Sequence, residues 1–340
     1  MKRQGTFPFT AIIGQEEMKK ALMLNVVNPR LGGVLITGEK GTAKSTTVRA
    51  LADLLPPRQC IKGCKFHDDP NDKSNWCDEC HEKYDNAQPE IEELPMKVVE
   101  LPVSATEDRV VGTLDIEAAI KEGKRSFETG ILADANRNIL YVDEINLLDD
   151  HVVDVLLDSA AMGINTVERE GISYSHPARF SLVGTMNPEE GDIRPQLLDR
   201  FALSVYVAGE KDLDKRAEVI KRRLEYEDDP EEFIKKWEEE QQNEVHRIQR
   251  AMKLLPQVTA ANEILRMAAQ ISITLGVDGH RADIVLIKTA ETLAAIAGHT
   301  EGTKEDLREA AHLALPHRMR RRPFEEQKLD WENVDKVIDG

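Results

Sequence analysis

Residues 33–46 read GVLITGEKGTAKST, and this stretch decides the fold. Its first part, 33–37, is a short apolar run with a β-branched residue at each end of its core, the length of a buried strand rather than a helix. The run passes directly into Gly38-Glu39-Lys40-Gly41-Thr42-Ala43-Lys44-Ser45, and apolar spacing over 44–54 predicts a helix behind it. Strand, glycine-rich loop and helix are the context that a phosphate-binding P-loop requires. Glycines let such a loop wrap closely, and its N–H groups, with the helix N-terminus behind them, bind phosphate oxygens. Gly38, Glu39, Lys40, Gly41, Thr42, Ala43, Lys44, Ser45 and Thr46 are therefore candidate ATP contacts. Lys44 is expected to reach the β- and γ-phosphates, and Ser45 to offer its hydroxyl to Mg²⁺. Ala43 departs from the glycine usual before the lysine, and alanine restricts the backbone more than glycine does.

Outward from the loop, the chain alternates strands and helices. Residues 15–27 have helical spacing; 97–101, 139–143, 180–184 and 203–207 read as strands. Helices are expected over 114–121 and 149–162, and a hairpin over 164–183 turning at Glu168-Arg169-Glu170-Gly171. Such alternation implies an α/β fold with a mostly parallel sheet covered on both faces. From 211 onward strand patterns vanish; 211–253 is highly charged and helical, and 258–275, 280–297 and 303–315 read as further helices, with Thr303 and Asp306 at an N-cap. The expected organisation is an ATPase domain over 1–208, a charged helical connection over 209–255 and a helical lid over 256–340. Residues 57–96 form a polar insertion in the first domain, with few core-forming residues.

Bulk properties narrow the function classes. Of 340 residues, 41% are hydrophobic and 31% charged, which fits a globular chain with a real core. No apolar run is long enough to span a bilayer, and the start lacks a secretory core, so a cytoplasmic protein with no membrane partner is expected. The net charge of −17 argues against nucleic-acid binding. Arg318, Arg320, Arg321 and Arg322 form one short basic stripe, expected to be a solvated surface or a subunit contact.

Four further segments complete a nucleotide-hydrolysing set. Ile139 to Glu144 is an apolar strand ending in two acids, at the strand end where sheets of this kind bind ligands. Asp143 is placed for the Mg²⁺ shell and Glu144 to orient the attacking water. Asn187, after the strand ending Val183-Gly184-Thr185-Met186, can hydrogen-bond the γ-phosphate or that water; a turn-forming Asn before Pro188 is the alternative. The run Arg194 to Phe201 resembles the arginine-finger region of AAA+ proteins, which implies that Arg200 stabilises transition-state charge in a neighbouring subunit's site. A surface ion pair with Asp199 is the competing account. Gly279-His280-Arg281-Ala282-Asp283 looks like the second sensor, which implies that Arg281 contacts the nucleotide from the lid; on spacing alone, a helix-start arginine in a salt bridge is the alternative.

Taken jointly, Phe9 to Glu16, Gly38 to Ser45, Ala105 to Arg109, Gly112 to Asp115, Tyr141 to Leu148, Val167 to Gly171, Gly184 to Gly191 and Arg194 to Phe201 resemble the AAA+ ATPase subunits of magnesium chelatase and the related cobaltochelatases. The resemblance spans most of residues 7–320. It implies a hexameric homo-oligomer driven by ATP and Mg²⁺. It also implies two partners: a second AAA+-like subunit with an integrin-type metal-binding domain, and a large tetrapyrrole-binding subunit. The expected function is a motor that drives Mg²⁺ or Co²⁺ into a tetrapyrrole. A MoxR-like chaperone for metalloprotein assembly is the alternative. A nucleic-acid remodeller is disfavoured by the charge and by Lys121 to Glu128, which is not the loop of a transcription activator.

Cys60, Cys64, Cys77 and Cys80 all fall in the 57–96 insertion, a feature that resembles the cobaltochelatase-like members. Cys-x3-Cys and Cys-x2-Cys can supply four thiolates to a tetrahedral Zn²⁺, with His67 and His81 as spare candidates. Four reduced thiols without metal are the alternative.

Overall fold

The computed structural model describes residues 5–115, 126–169, 172–277, 279–319 and 331–339. Its centre is a five-stranded, all-parallel sheet: β1 (Val34–Gly38), β2 (Val98–Leu101), β3 (Ile139–Val142), β4 (Ser181–Met186) and β5 (Leu203–Val207), in the order β5-β1-β4-β3-β2. The strand carrying the P-loop lies inside the sheet, flanked by β4 and the edge strand β5, so its C-terminal end opens between two neighbours.

Side chains alternate across this sheet, and the two faces build separate cores. Val34, Ile36, Ile139, Tyr141 and Val183 face one core; Leu35, Leu140, Val142 and Leu182 face the other. The first core contains helices α1 (Glu16–Val27) and α2 (Lys44–Ala52) and continues without a break into the C-terminal helices. The second is covered by α3 (Asp150–Met162) and by the hairpin Ile164–Arg169/Ile172–Pro177.

Beyond β5 come α4 (Leu213–Asp228), α5 (Pro230–Lys236) and α6 (Glu238–Leu254). Few of their residues are buried: Phe233, Ile248 and Ala251. Aromatic contacts clamp them to the N-terminal segment instead, with Phe7 5.2 Å from both Tyr226 and Phe233. The remaining helices are α7 (Asn262–Thr274), α8 (Arg281–Ala297), α9 (Lys304–Ala314) and α10 (Trp331–Asp339). Thr303 and Asp306 form a reciprocal capping box at the start of α9. The fold is α/β with a helical lid, as expected, except that the lid also holds a two-residue parallel ladder joining Thr259–Ala260 to Glu301–Gly302.

Two local expectations need correction. Leu114 and Asp115, expected to open a helix over 114–121, instead end a strand, Gly112–Asp115, paired antiparallel with Ser126–Thr129. The pairing packs Gly112 so tightly that a Cβ there would lie 2.5 Å from Glu128 O, and only glycine fits. Residues 116–121 of that expected helix lie outside the described residues, as do Glu170 and Gly171 of the hairpin turn and most of Lys121 to Glu128. The 57–96 insertion also has more core than its composition promises. Cys60, Ile61, Phe66, Trp76, Cys77 and Cys80 are all buried. No helix among the described residues is long and apolar enough to cross a membrane.

Candidate active site

The loop between β1 and α2 is built by close backbone approach. At Gly38 a Cβ would sit 1.9 Å from the Val207 carbonyl oxygen, so β5 and the loop can pack only with glycine here. Gly41 has φ +78°, and Ala43 is left-handed at φ 60°, ψ 20°, immediately before the helix. Left-handed turns of this kind aim successive N–H groups into one concavity, a nest suited to anions. Glycine holds that geometry freely, whereas Ala43 does so at a cost of roughly 1–2 kcal/mol.

Lys44 Nζ donates to the carbonyls of Gly38 at 2.7 Å and Glu39 at 3.1 Å, which bends it back over its own loop. Burial lowers its pKa from the usual lysine range, against the pull of Asp143 and Glu144. Lys40 ion-pairs with Glu190 and, at 3.5 Å, with Glu144, and the Glu190 hydrogen bond raises its pKa.

The acids stand at the end of β3. Asp143 Oδ1 accepts hydrogen bonds from Thr185 Oγ1 at 2.6 Å and Tyr141 OH at 3.0 Å. Thr185 Oγ1 in turn accepts the Glu144 N–H at 3.1 Å, so one buried hydroxyl holds the Asp143 carboxylate and the Glu144 backbone. Glu144 has φ 52°, a left-handed strain for a non-glycine residue that commonly marks a functional position. Asn187 follows β4 and is buried; its carbonyl oxygen accepts the Glu189 N–H at 3.2 Å, which leaves its amide donors for another acceptor.

These groups share one cavity of about 480 Å³, lined by Lys40 to Thr46, Tyr141, Asp143, Glu144, Thr185, Met186 and Asn187. A second hollow of about 420 Å³ adjoins it through Gly41, Thr42, Ala43 and Thr46. Its other walls are apolar and basic: Ile12, Ile13, Val219, Ile220, Arg216 and Arg222 among them. Together the two give a polar end for phosphates and an apolar end for a flat base. The donor set fits Mg-ATP: N–H groups and Lys44 for phosphate, and Ser45 with Asp143 as oxygen ligands for the metal.

Sequence reasoning missed Thr185 and Tyr141 as positioning residues, and the whole base-side wall. Thr185 lies inside the segment Gly184 to Gly191, but its role depends on β3 and β4 being neighbours. The wall could have been sought in the apolar stripe Val219-Ile220-Leu224, exposed on an otherwise charged helix.

The arginines lie elsewhere. Arg200 lines neither hollow; its guanidinium is held by Asp154 and Asp158 of α3. Asp199, the suggested partner of Arg200, pairs instead with Arg281 at 2.9 Å. Arg281 opens α8 and also lines neither hollow. Arg318 corrects the surface reading of the basic stripe: its side chain has 0% exposure. It donates to the carbonyls of Phe201 at 2.6 Å, Ala202 at 2.8 Å and Asp199 at 3.0 Å. Beside it His317 Nε2 meets Phe201 O at 2.8 Å, and burial pushes the imidazole down to about 3. Arg320, Arg321 and Arg322 lie outside the described residues.

The cysteines also regroup. Sulfur atoms of Cys64, Cys77 and Cys80 gather with a carboxylate oxygen of Asp68, all within 4.8 Å of one another. Cys60 is not in that group; its sulfur lies 3.8 Å from Arg58 O and 3.7 Å from Arg137 Nη1. Neither spare histidine joins: His81 pairs with Asp85, and His67 points elsewhere in a left-handed turn at φ 54°.

Comparison with known proteins agrees with this architecture. Residues 89–201 match the AAA domain of the dynein-related subfamily, and residues 265–338 match the AAA lid domain. The chain is 57% identical over 338 residues to the magnesium-chelatase subunit ChlI homolog of Methanocaldococcus jannaschii, covering 99% of this chain and 92% of that protein. It is 51% identical to magnesium-chelatase subunit ChlI of a Nostoc species, covering 99% and 90%. Among solved structures, a complex between subunits BchI and BchD of magnesium chelatase matches with 46% identity and a TM-score of 0.56, covering 98% of this chain and 99% of that one. A candidate ATPase from Cytophaga hutchinsonii, at 17% identity and TM-score 0.62, shares the fold alone. A P-loop fold with this acid pair and lid, matched at such identity over nearly its whole length, belongs to the magnesium-chelatase ChlI/BchI family of AAA+ ATPase subunits.

Proposed function

We propose that this chain is the ATP-hydrolysing motor of a magnesium or cobalt chelatase and drives metal insertion into a tetrapyrrole. One observation carries the mechanism: the cavity gathers Lys44, Asp143 and Glu144, while Arg200 lies outside it. Phosphoryl transfer needs in-line positioning and stabilisation of charge on the γ-phosphate oxygens. The loop amides and Lys44 hold the β- and γ-phosphates. Ser45 and Asp143 would hold Mg²⁺, which supplies charge neutralisation across the phosphates. Glu144, pinned through Thr185, orients and polarises the attacking water. Asn187 donates its amide to that water or to the γ-phosphate.

Among the described residues, no arginine lines the phosphate cavity. Arg200 is supplied to the cavity of a neighbouring copy, leaving Asp154 and Asp158 as it does so. Arg281, paired to Asp199 at the same edge, reports the same junction to the lid. The working unit is then a closed ring of copies, a hexamer. Its partners are a BchD-like second AAA+ subunit with an integrin-type metal-binding domain and a large tetrapyrrole-binding subunit. The site works in the cytoplasm.

The test is Mg-ATP hydrolysis per subunit across a dilution series, followed by reconstitution with BchD-type and tetrapyrrole-binding subunits. Specific activity should rise with concentration. Porphyrin absorbance should then shift to that of the metallated ring, with Mg²⁺ or Co²⁺, only when hydrolysable ATP is present. Hydrolysis without insertion of either metal would overturn the chelatase assignment and favour a chaperone ATPase.

A further inference from the structure

A second group of metal-binding side chains lies in the 57–96 insertion, and the nucleotide chemistry does not use it. The sulfurs of Cys64 and Cys77 stand 3.9 Å apart, and all four ligand atoms of Cys64, Asp68, Cys77 and Cys80 fall within 4.8 Å of one another. A disulfide would need about 2.05 Å. A single tetrahedral zinc, with Zn–S bonds of about 2.3 Å, sets its ligands about 3.8 Å apart. A multi-iron cluster would spread its thiolates further.

We propose that Cys64, Asp68, Cys77 and Cys80 bind one structural Zn²⁺, with Asp68 as the fourth ligand and Cys60 excluded. Asp68 supplies the independent observation. It is 1% exposed, its Oδ2 accepts the Cys77 N–H at 2.7 Å, and its Oδ1 is buried with no hydrogen-bond partner. A buried carboxylate oxygen without a donor carries an uncompensated desolvation cost, and a cation relieves it. The Cys77 N–H bond meanwhile orients the carboxylate, and the Phe66 N–H reaches Cys64 Sγ at 3.4 Å. Such outer contacts are what position metal ligands. Three thiolates select zinc over Mg²⁺ or Ca²⁺, which take oxygen ligands.

The placement gives the ion its role. Phe66, two residues from Cys64, stacks on His176 at 4.6 Å, and its carbonyl accepts the Asn136 side chain at 2.6 Å. Arg137 Nη1 donates to the carbonyls of Gln59 and His67. Asn136, Arg137 and Arg179 all precede the strands β3 and β4, and Arg179 pairs with Asp72 of the insertion, so the insertion docks at the N-terminal ends of those strands, opposite the nucleotide cavity. The ion cross-links a small lobe and ties Cys64 and Asp68 to the helix that carries Cys80. It stabilises that lobe and takes no part in ATP chemistry, so the inference does not depend on the motor assignment.

Metal analysis tests it on the full chain, purified without added zinc or chelator. One zinc per chain is expected, retained in Cys60→Ser. Asp68→Ala should weaken zinc tenfold or more in competition with a chromophoric chelator, because even an outer-shell loss costs about 10–100-fold. Because Cys77→Ser could fail to fold, Co²⁺ exchange into the unaltered chain provides a second readout. It should give tetrahedral visible bands with sulfur-to-metal charge transfer of three thiolates. A reduced, folded chain that holds no zinc and takes up no Co²⁺ would sink the site. Zinc lost from Cys60→Ser but kept at full affinity in Asp68→Ala would overturn the ligand set in favour of four thiolates.

Discussion

The nucleotide cavity and the arginine cluster, which the proposed function joins in one reaction, are built differently within a single chain. The cavity gathers both signs of charge around one space: Lys44 beside its loop carbonyls, with Asp143 and the Glu144 backbone tied through Thr185. In the cluster every guanidinium is turned onto the chain's own acids or carbonyls. These latter contacts differ among themselves. Arg200 and Arg281 pair with half-exposed carboxylates, contacts of small net strength that a better partner can displace. Arg318 is wholly enclosed and is a fixed rivet between lid and ATPase body. The difference teaches that the arginine edge has a rigid base and two exchangeable heads.

The most severe test of that comparison is Arg200→Ala beside Glu144→Gln. Arg200→Ala is expected to lower kcat by roughly 10³–10⁵, as loss of an arginine finger does. Glu144→Gln should lower it by roughly 10²–10⁴. An equimolar mixture should recover part of the turnover, since an intact Arg200 then meets a neighbour's intact Glu144. No recovery would break the comparison, placing Arg200 in service of its own cavity.

Arg318→Met probes the rivet. Charge-assisted bonds of this kind contribute about 1.5–3 kcal/mol each, so a loss of roughly 3 kcal/mol or more in urea unfolding is expected. A change under ~0.5 kcal/mol would mean that the lid is held by its apolar core alone.

His317 sharpens the same point by pH. Its pKa is about 3 in the fold against 6.5 unfolded, so the unfolded chain binds the extra proton first. Its contribution is fully present above about 6.5 and is lost as pH falls toward about 3. Unfolding midpoints at pH 7.5 and 5.5 should therefore differ less in His317→Gln than in the unaltered chain. Equal differences would remove His317 from the rivet.

Ala43→Gly is the mildest change. It relieves a left-handed strain of roughly 1–2 kcal/mol but adds unfolded-state entropy of about 0.4–1 kcal/mol. The net expectation is a stabilisation of about 1 kcal/mol or less, with ATP affinity changed little, read by denaturation with and without Mg-ATP. A large destabilisation would show that Ala43 Cβ makes a packing contact.

Much of the machine was legible before any coordinates. Local order along the chain specifies a P-loop, because its glycines, lysine and flanking strand and helix are consecutive. The acid pair was equally legible, since an apolar run ending in Asp143-Glu144 has one place in a parallel sheet. Composition and periodicity also gave the α/β class, the helical lid and the crowding of cysteines into one insertion.

What stayed hidden was whatever joins distant positions. Thr185 matters only because β4 lies beside β3, 42 residues from Asp143 in sequence. Asp68 replaces Cys60 among the sulfurs because Cys60 lies on a strand, Arg58–Ile61, where it faces Arg58 and Arg137, while the following turn carries Asp68 to Cys77. Arg318 looked like surface because its neighbours in sequence are arginines; its neighbours in space are the carbonyls of Asp199, Phe201 and Ala202. The sequence by itself determined which chemistry is present, since residue type and short-range spacing set the loop, the acids and the candidate ligands. Tertiary structure alone decided which groups meet, because partners separated by tens to hundreds of residues are chosen by sheet order and burial, neither of which a local pattern contains.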